Sequence, residues 1–391
     1  MACCCGRARA AQVLGGVSLS DWPIAGTVLA VVLLVDTLRR VYAVGKEAND
    51  HFVAVVVCAC MGLYGLQWLA APHLWPLWSL GMVGLWGLFF CLHREKACPR
   101  WLFWGLAWPS QVAYAFALWA GLTWLIRAPI AWALGASVLW AGPWLLLPLG
   151  LALLGCLHAA RQGQRITHHK VPELPGRVVQ LSDLHASPLM AGPELMALVD
   201  QVNALKPALV LITGDQVMPF SEAQHDYLLH ALAQLQAPSF CCAGNHDLPV
   251  LERLKAALEP VSPMLVDEGR SCGPFWLYGV NFHWKNAREE LERSVVASNG
   301  EGFRILMAHD PRLGAWLGPE HADLVLSGHT HGGQVGLNMF GLRPTLLGLF
   351  GVRDQGWFRS GVPQYVHAGN WWIGLPPRMG VAGEIAVFDP V

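Results

Sequence analysis

Residues 239–247 read Ser239-Phe240-Cys241-Cys242-Ala243-Gly244-Asn245-His246-Asp247. A short apolar run meets a glycine, and a cluster of amide, imidazole and carboxylate side chains follows at once. An apolar run of this length bounded by a turn signal reads as a buried strand. A glycine at its exit allows a tight turn or a close backbone approach. Polar chemistry delivered where a buried strand ends is the layout of open α/β folds, in which ligands collect beyond the carboxyl ends of strands. Cys241 and Cys242 are neighbours in this strand and face opposite ways, so they read as core thiols.

Working outward, the same arrangement recurs. Strands are expected over 177–182, 208–213, 239–243, 274–280, 303–308 and 324–327, and helices over 193–205, 222–236, 248–258 and 287–298. Such alternation argues for α/β layers with helices outside a sheet. Polar clusters follow five of these strands: Asp183-Leu184-His185, Gly214-Asp215, Gly244-Asn245-His246-Asp247, His309-Asp310 and Gly328-His329-Thr330-His331. Each cluster alone is a weak signal; the ordered set is a strong one. Carboxylate, amide and imidazole ligands together suit borderline divalent metals such as Mn, Fe or Zn.

This ordered set resembles the signature of the calcineurin-like metallophosphoesterase superfamily: Asp-x-His, Gly-Asp, Gly-Asn-His-Asp/Glu, His, Gly-His-x-His. Gly328-His329-Thr330-His331-Gly332-Gly333-Gln334 is similar to the form in a membrane-associated branch. The resemblance covers 177–391 and implies a four-layer αββα sandwich that hydrolyses phosphate esters with two divalent metal ions. It implies that Asp183, His185 and His331 hold the first metal, that Asn245, His309 and His329 hold the second, and that Asp215 bridges both. It makes His246 the general acid for the leaving oxygen. Ligating imidazoles need acceptors on their far nitrogens, and Asp310 and Asp247 are candidates. One departure stands out: many members carry Asp three residues after the Gly-Asp carboxylate, where this chain has Met218. His367-Ala368-Gly369-Asn370 is read as a possible wall of the site.

The amino-terminal half differs in kind. Apolar residues make up 54% of the chain and charged residues 14%. Residues 52–92, 101–126 and 128–157 contain no Asp, Glu, Lys or Arg. Five candidate spans follow, at 22–35, 52–71, 74–92, 101–126 and 130–157, against a need for roughly 20 apolar residues each. Thirteen of the 19 Trp residues precede Leu157, many near segment ends, where indoles favour the headgroup region. The expected fold class is therefore an all-α multi-pass membrane domain (1–157), a polar linker (158–176) and an α/β metallophosphoesterase domain (177–391). Adjacent His168 and His169 are read as solvated linker residues.

Basic residues in the short loops are lopsided. Arg39, Arg40, Lys46, Arg94, Lys96, Arg100, Arg161, Arg165, Lys170 and Arg177 fall on one side, and Arg7, Arg9 and Arg127 on the other. The first side is expected to be cytoplasmic, which suits the unpaired cysteines of the second half. A net charge of −1 offers no footprint for nucleic acid. The functional expectation is a membrane-anchored two-metal hydrolase of a phosphodiester or pyrophosphate near the membrane, with lipid-linked substrates among the candidates. The alternative is a non-catalytic metal-binding membrane scaffold or receptor on the same fold.

Overall fold

A computed structural model of the chain describes residues 146–161 and 163–391, except 188–189, 191, 219–221, 296–299, 335, 337–343, 346, 372–377 and 379, with scattered positions between 116 and 135. The chain divides into two compact units, residues 1–83 with 112–154 and residues 84–111 with 155–391. In the first unit the described positions 116, 119, 123, 127, 129, 130, 133 and 134 are helical, and the chain turns at Gly135, whose φ is +60°. Helix α1 then spans Leu146–Arg161.

The expected all-α multi-pass membrane domain is corrected by this structure. Among the described residues no helix is long and apolar enough to cross a membrane. The run at 130–157 breaks at Gly135, and α1 has 16 residues, about 24 Å of helix against a hydrocarbon core of ~30 Å. A run without charge establishes hydropathy, not one unbroken helix. The runs at 22–35, 52–71 and 74–92 lie outside the described residues, as does most of 101–126.

The second unit is an α/β domain. Its strands are β1 (Gln164–Val171), β2 (Val178–Leu181), β3 (Leu209–Thr213), β4 (Ser239–Cys242), β5 (Met264–Leu265), β6 (Glu268–Cys272), β7 (Phe275–Val280), β8 (Phe303–Ala308), β9 (Leu324–Ser327), β10 (Gly356–Ser360), β11 (Val362–Val366) and β12 (Gly383–Pro390). Its helices include α2 (Gly192–Ala204), α3 (Glu222–Leu232), α4 (Leu251–Leu258) and α5 (Ala287–Val295). The strands form two six-stranded sheets, ordered β1-β12-β2-β3-β4-β5 and β10-β11-β9-β8-β7-β6. Strands β2 to β5 run parallel, as do β7, β8, β9 and β11. Parallel strands are covered on both faces, and β2, β3, β4 and β9 are buried at every position.

Alternation along each strand divides the core into layers. Val179, Leu181, Val210, Ile212 and Cys241 pack outward against α2, α3 and α4. Val178, Leu209, Leu211, Phe240 and Cys242 pack inward against Leu277, Ile305, Met307, Leu324 and Leu326 of the second sheet. On the far side, Tyr278, Val280, Leu306 and Val325 pack with Ala287 and Leu291 of α5. Buried Gln180 bridges the sheets: its Nε2 donates to Thr213 Oγ1 (2.8 Å) and to Ser327 O (2.9 Å). The stretch read as a linker, 158–176, instead holds the end of α1 and the whole of β1, which pairs in parallel with β12. His168 contacts Asp389 there (3.0 Å), and the His169 ring packs against Trp357, Tyr365 and Phe388.

Candidate metal centre

The side chains at this centre leave the carboxyl ends of β2, β3, β8 and β9 through sharply bent backbone. Asp183, His185, Asp215, His329 and His331 all adopt positive φ, at 55°, 44°, 54°, 76° and 51°. Asp and His are among the few non-glycine residues enriched in that region, and each instance costs about 1–3 kcal/mol. The bends persist because hydrogen bonds continue past the strand ends. Asp183 N–H donates to Gly214 O (3.1 Å), His185 N–H to Asp215 O (3.0 Å) and Ala186 N–H to Gln216 O (2.9 Å). Bending at consecutive strand ends turns side chains that would alternate in direction toward one point. Close approach explains two of the glycines: a Cβ on Gly214 would collide with the His309 imidazole, and one on Gly244 with the Asp215 carboxylate.

Six of the seven sequence-read ligands gather in two groups, Asp183 with His185 and His331, and Asp215 with His309 and His329. Within each group the ligand atoms lie within 4.8 Å of one another. Asp215 Oδ2 reaches both, at 3.7 Å from His185 Nε2 and 3.2 Å from His309 Nε2. The seventh, Asn245, is half-buried on the loop after β4, and its Oδ1 has no hydrogen-bond partner. The next N–H, that of His246, donates to Asp215 Oδ1 (2.8 Å). Asp183, His185, Asp215, His309 and His331 are buried, whereas Asn245, His246 and His329 are partly exposed, so the centre opens on their side.

The hydrogen bonds decide where the lone pairs point. A carbonyl only accepts, so His309 Nδ1 carries the proton it gives to Thr213 O (2.7 Å), and His331 Nδ1 the one it gives to Trp371 O (2.8 Å). In the neutral rings each Nε2 then presents a bare lone pair to the centre. His309 Nε2 faces Asp215 Oδ2, off a hydrogen-bonding angle. His331 Nε2 sits 3.2 Å from Asp183 Oδ1 and 3.2 Å from His185 Nε2. Buried lone pairs that converge on carboxylates repel unless a cation or proton lies between them. This donor set fits divalent cations.

The electrostatics of the buried groups point the same way. Burial pushes His185 well below the usual imidazole range and His331 down to about 4, in the latter case despite Asp183. Burial and the nearby His309 lower His329. Burial would lower His309 too, but the Asp215 carboxylate outweighs it and holds the ring up at about 10. Burial would raise Asp215, yet the imidazoles of His309 and His246 hold it well below the carboxylate range; Asp183 is lowered against burial by His331 and His309. Without a cation, a proton on His309 is the cheapest way to separate its nitrogen from Asp215.

His246 is half-buried, and its ring meets that of His185 edge-on at 5.0 Å. Met218, three residues after Asp215, is half-buried and donates its N–H to Ala186 O (3.2 Å). The acceptors foreseen for the ligand imidazoles are elsewhere engaged. Asp247 accepts from the N–H groups of Gln216, Val217 and Gly244, clamping two loops together, and burial with the Asp215 charge raises it to about 8. Asp310 caps a short helical turn and pairs with Arg312 (2.6 Å). The actual acceptors are the carbonyls of Thr213 and Trp371, which no side-chain pattern could reveal. Also unread were Phe282, whose ring lies 5.4 Å from that of His329 and 4.9 Å from that of Trp284, and Arg378, buried beneath the 368–371 turn. The 367–370 stretch, read as a wall, ties in directly: Asn370 exchanges hydrogen bonds with Ser182, at 2.7 and 2.9 Å.

Two sheets with helices outside, and two acidic-imidazole groups at their shared edge, define a calcineurin-like phosphoesterase domain. The chain belongs to that family, whose model matches residues 176–333. A phosphodiesterase of Escherichia coli, YaeI, is 32% identical over 196 residues, 45% of this chain and 68% of that one. The transmembrane protein with metallophosphoesterase domain of Danio rerio is 28% identical over 273 residues, 62% of this chain. This chain spans only 60% of that relative's length. The uncharacterized metallophosphoesterase YkuE of Bacillus subtilis is 27% identical over 239 residues, 54% of this chain and 78% of that one.

Proposed function

We propose that this chain hydrolyses a phosphodiester or pyrophosphate with two divalent metal ions. The observation that carries the reading is the convergence of two buried ligand groups on Asp215, with imidazole lone pairs aimed at carboxylates. Asp183, His185 and His331 would hold one ion, and Asn245, His309 and His329 the other, with Asp215 shared between them. When bound, two such ions supply charge neutralisation at the phosphoryl oxygens and a water acidified to near-neutral pH. Asp183 and Asp215, held ionised, add the negative charge that such cations need. His246, on the open side, is the candidate to protonate the leaving oxygen. Phe282 and partly exposed Trp284 give the His329 side an apolar flank, which suits a substrate carrying an organic group beyond its phosphate. Membrane association is part of the proposal; it rests on the charge-free runs and on the Danio rerio relative's name.

The test is a substrate screen of the full chain loaded with Mn, Zn, Fe or Mg, covering monoesters, diesters and lipid pyrophosphates. Metal-dependent turnover of a diester or pyrophosphate, abolished by a chelator and restored by the ion, is the expected result. Two bound ions with no turnover of any phosphate ester would favour a metal-binding scaffold.

A further inference from the structure

We infer that Arg378 is a positioning residue for the His331 half of the metal centre: it fixes the carbonyl that holds the His331 Nδ1 proton and so aims Nε2 at the ligand group. The inference rests on the two-metal reading above but reaches a residue outside every motif.

Arg378 is 2% exposed, and its partners are main-chain carbonyls. Nη2 donates to Ala368 O (2.6 Å), Gly369 O (3.1 Å) and Trp371 O (2.7 Å), and Nη1 donates to Ala382 O (2.7 Å). Trp371 O is the acceptor that also takes the His331 Nδ1 proton at 2.8 Å. One carbonyl, with two lone pairs, is therefore held from one side by a buried guanidinium and serves a candidate ligand on the other. A flat guanidinium fixes several acceptors at once, a task an ammonium point charge performs poorly.

The turn that Arg378 organises is bonded to the centre at two further places. Asn370 N–H donates to Ser182 O (2.7 Å), and Trp371 N–H donates to Asp183 O (3.2 Å). Gly369, with φ +74°, lies in the gap. A Cβ there would sit 2.9 Å from Arg378 Nη2, 3.1 Å from His331 Nδ1 and 3.3 Å from the Asp183 Cβ. Guanidinium, turn and ligand imidazole are packed as one unit. His309 offers an internal contrast: its Nδ1 proton goes to Thr213 O at the end of β3, away from the carbonyls that Arg378 holds.

The test uses the full chain made metal-free and titrated with Mn²⁺. Wild type should show two binding steps, and His331→Ala identifies the one that belongs to its group. Arg378→Met should weaken that same step by about 10–100-fold, the usual effect of removing a group that orients a ligand, and leave the other step within a factor of about two. Arg378→Lys should recover part of the loss. Gly369→Ala, which crowds the same gap from the other side, should give the same one-sided loss and stands in if Arg378→Met does not fold. The readout that needs no metal is imidazole NMR of the metal-free protein. The His331 Nδ1 proton should exchange faster in Arg378→Met and Gly369→Ala, with the His309 Nδ1 proton unchanged. Equal acceleration of both protons, or of neither, overturns the positioning role. Absence of Mn²⁺ binding in wild type would defeat the two-metal reading, while the proton exchange would still decide this one.

Discussion

The strand ends that build the metal centre and the partly exposed seam between β1 and β12 are both polar, yet they treat their polar groups in opposite ways. At the seam both carboxylates are partnered. Glu384 accepts from Tyr365 Oη (2.7 Å), Thr167 Oγ1 (2.9 Å), Ala368 N–H (3.1 Å) and Arg165 Nη2 (3.3 Å). Asp389 accepts from Arg177 Nε (2.7 Å) and contacts His168. At the centre, His185 Nδ1, His309 Nε2 and Asn245 Oδ1 have no hydrogen-bond partner, and five ligand positions carry left-handed backbone. Buried polar groups left unmatched cost stability; matched ones hold elements together. The seam spends its carboxylates on holding strands together, whereas the centre leaves polar atoms unmatched.

Breaking the centre should have the largest effect on chemistry and a small one on folding. Asp215→Asn removes the oxygen shared by both ligand groups. We expect loss of one or both ions and of nearly all hydrolysis, beyond the roughly 100-fold seen for residues that only orient a ligand. The metal-free variant should melt somewhat below wild type, because the carboxylate that holds the His309 proton has gone, an effect smaller than the loss of chemistry. Metal analysis beside a melting curve checks both halves; full ion occupancy with normal turnover would remove Asp215 from the centre.

His246→Ala comes next. It should keep both ions and lower turnover by ~10²–10⁴-fold on substrates with alkoxide leaving groups, the usual scale of general acid catalysis. With an aryl leaving group, which departs without a proton, the loss should shrink. Equal losses on alkyl and aryl diesters would rule out proton donation.

The seam should answer in reverse. Glu384→Ala leaves Arg165, Thr167 and Tyr365 without their acceptor and should cost roughly 3 kcal/mol of stability, as for one partner of a buried charged contact. Burial alone would raise the Glu384 carboxyl; His367 and the hydrogen bonds from Ala368 N–H, Tyr365 and Thr167 outweigh it and hold it low. The folded state thus titrates below the unfolded value of about 4.3. Its stabilisation is complete above that unfolded value and drains away as pH falls through the folded one. Denaturant curves for Glu384→Gln should lose that part of the acid sensitivity; a wild-type slope would contradict the assignment. The smallest effect belongs to His168→Ala at the exposed rim, where a polar side-chain contact is worth at most about 1 kcal/mol. A larger shift in the unfolding midpoint would mean that the seam is stiffer than its exposure implies.

How much was legible follows the same division. Strands β2, β3, β4, β8 and β9 are mostly apolar and end in chemistry, so sequence located them to within two residues. The ligands announced themselves by type and order. The strand β1 reads Gln-Arg-Ile-Thr-His-His-Lys-Val, with the polarity of a linker, because an edge strand needs only one apolar face and its partner is more than 200 residues away. The acceptors that aim the imidazoles are main-chain carbonyls of Thr213 and Trp371, which carry no residue signature. The charge-free amino-terminal runs signalled apolar character but not where helices stop, as the turn at Gly135 makes plain.

The adjacent cysteines of β4 have a use as reporters. Both thiols are fully buried, and burial raises both, so neither reacts with an alkylating reagent while the domain is closed. Cys241 is packed under the helices and Cys242 between the sheets. Their labelling rates therefore clock two different openings of one molecule. The order in which mass is added to a single peptide tells whether the helices peel away before the sheets part.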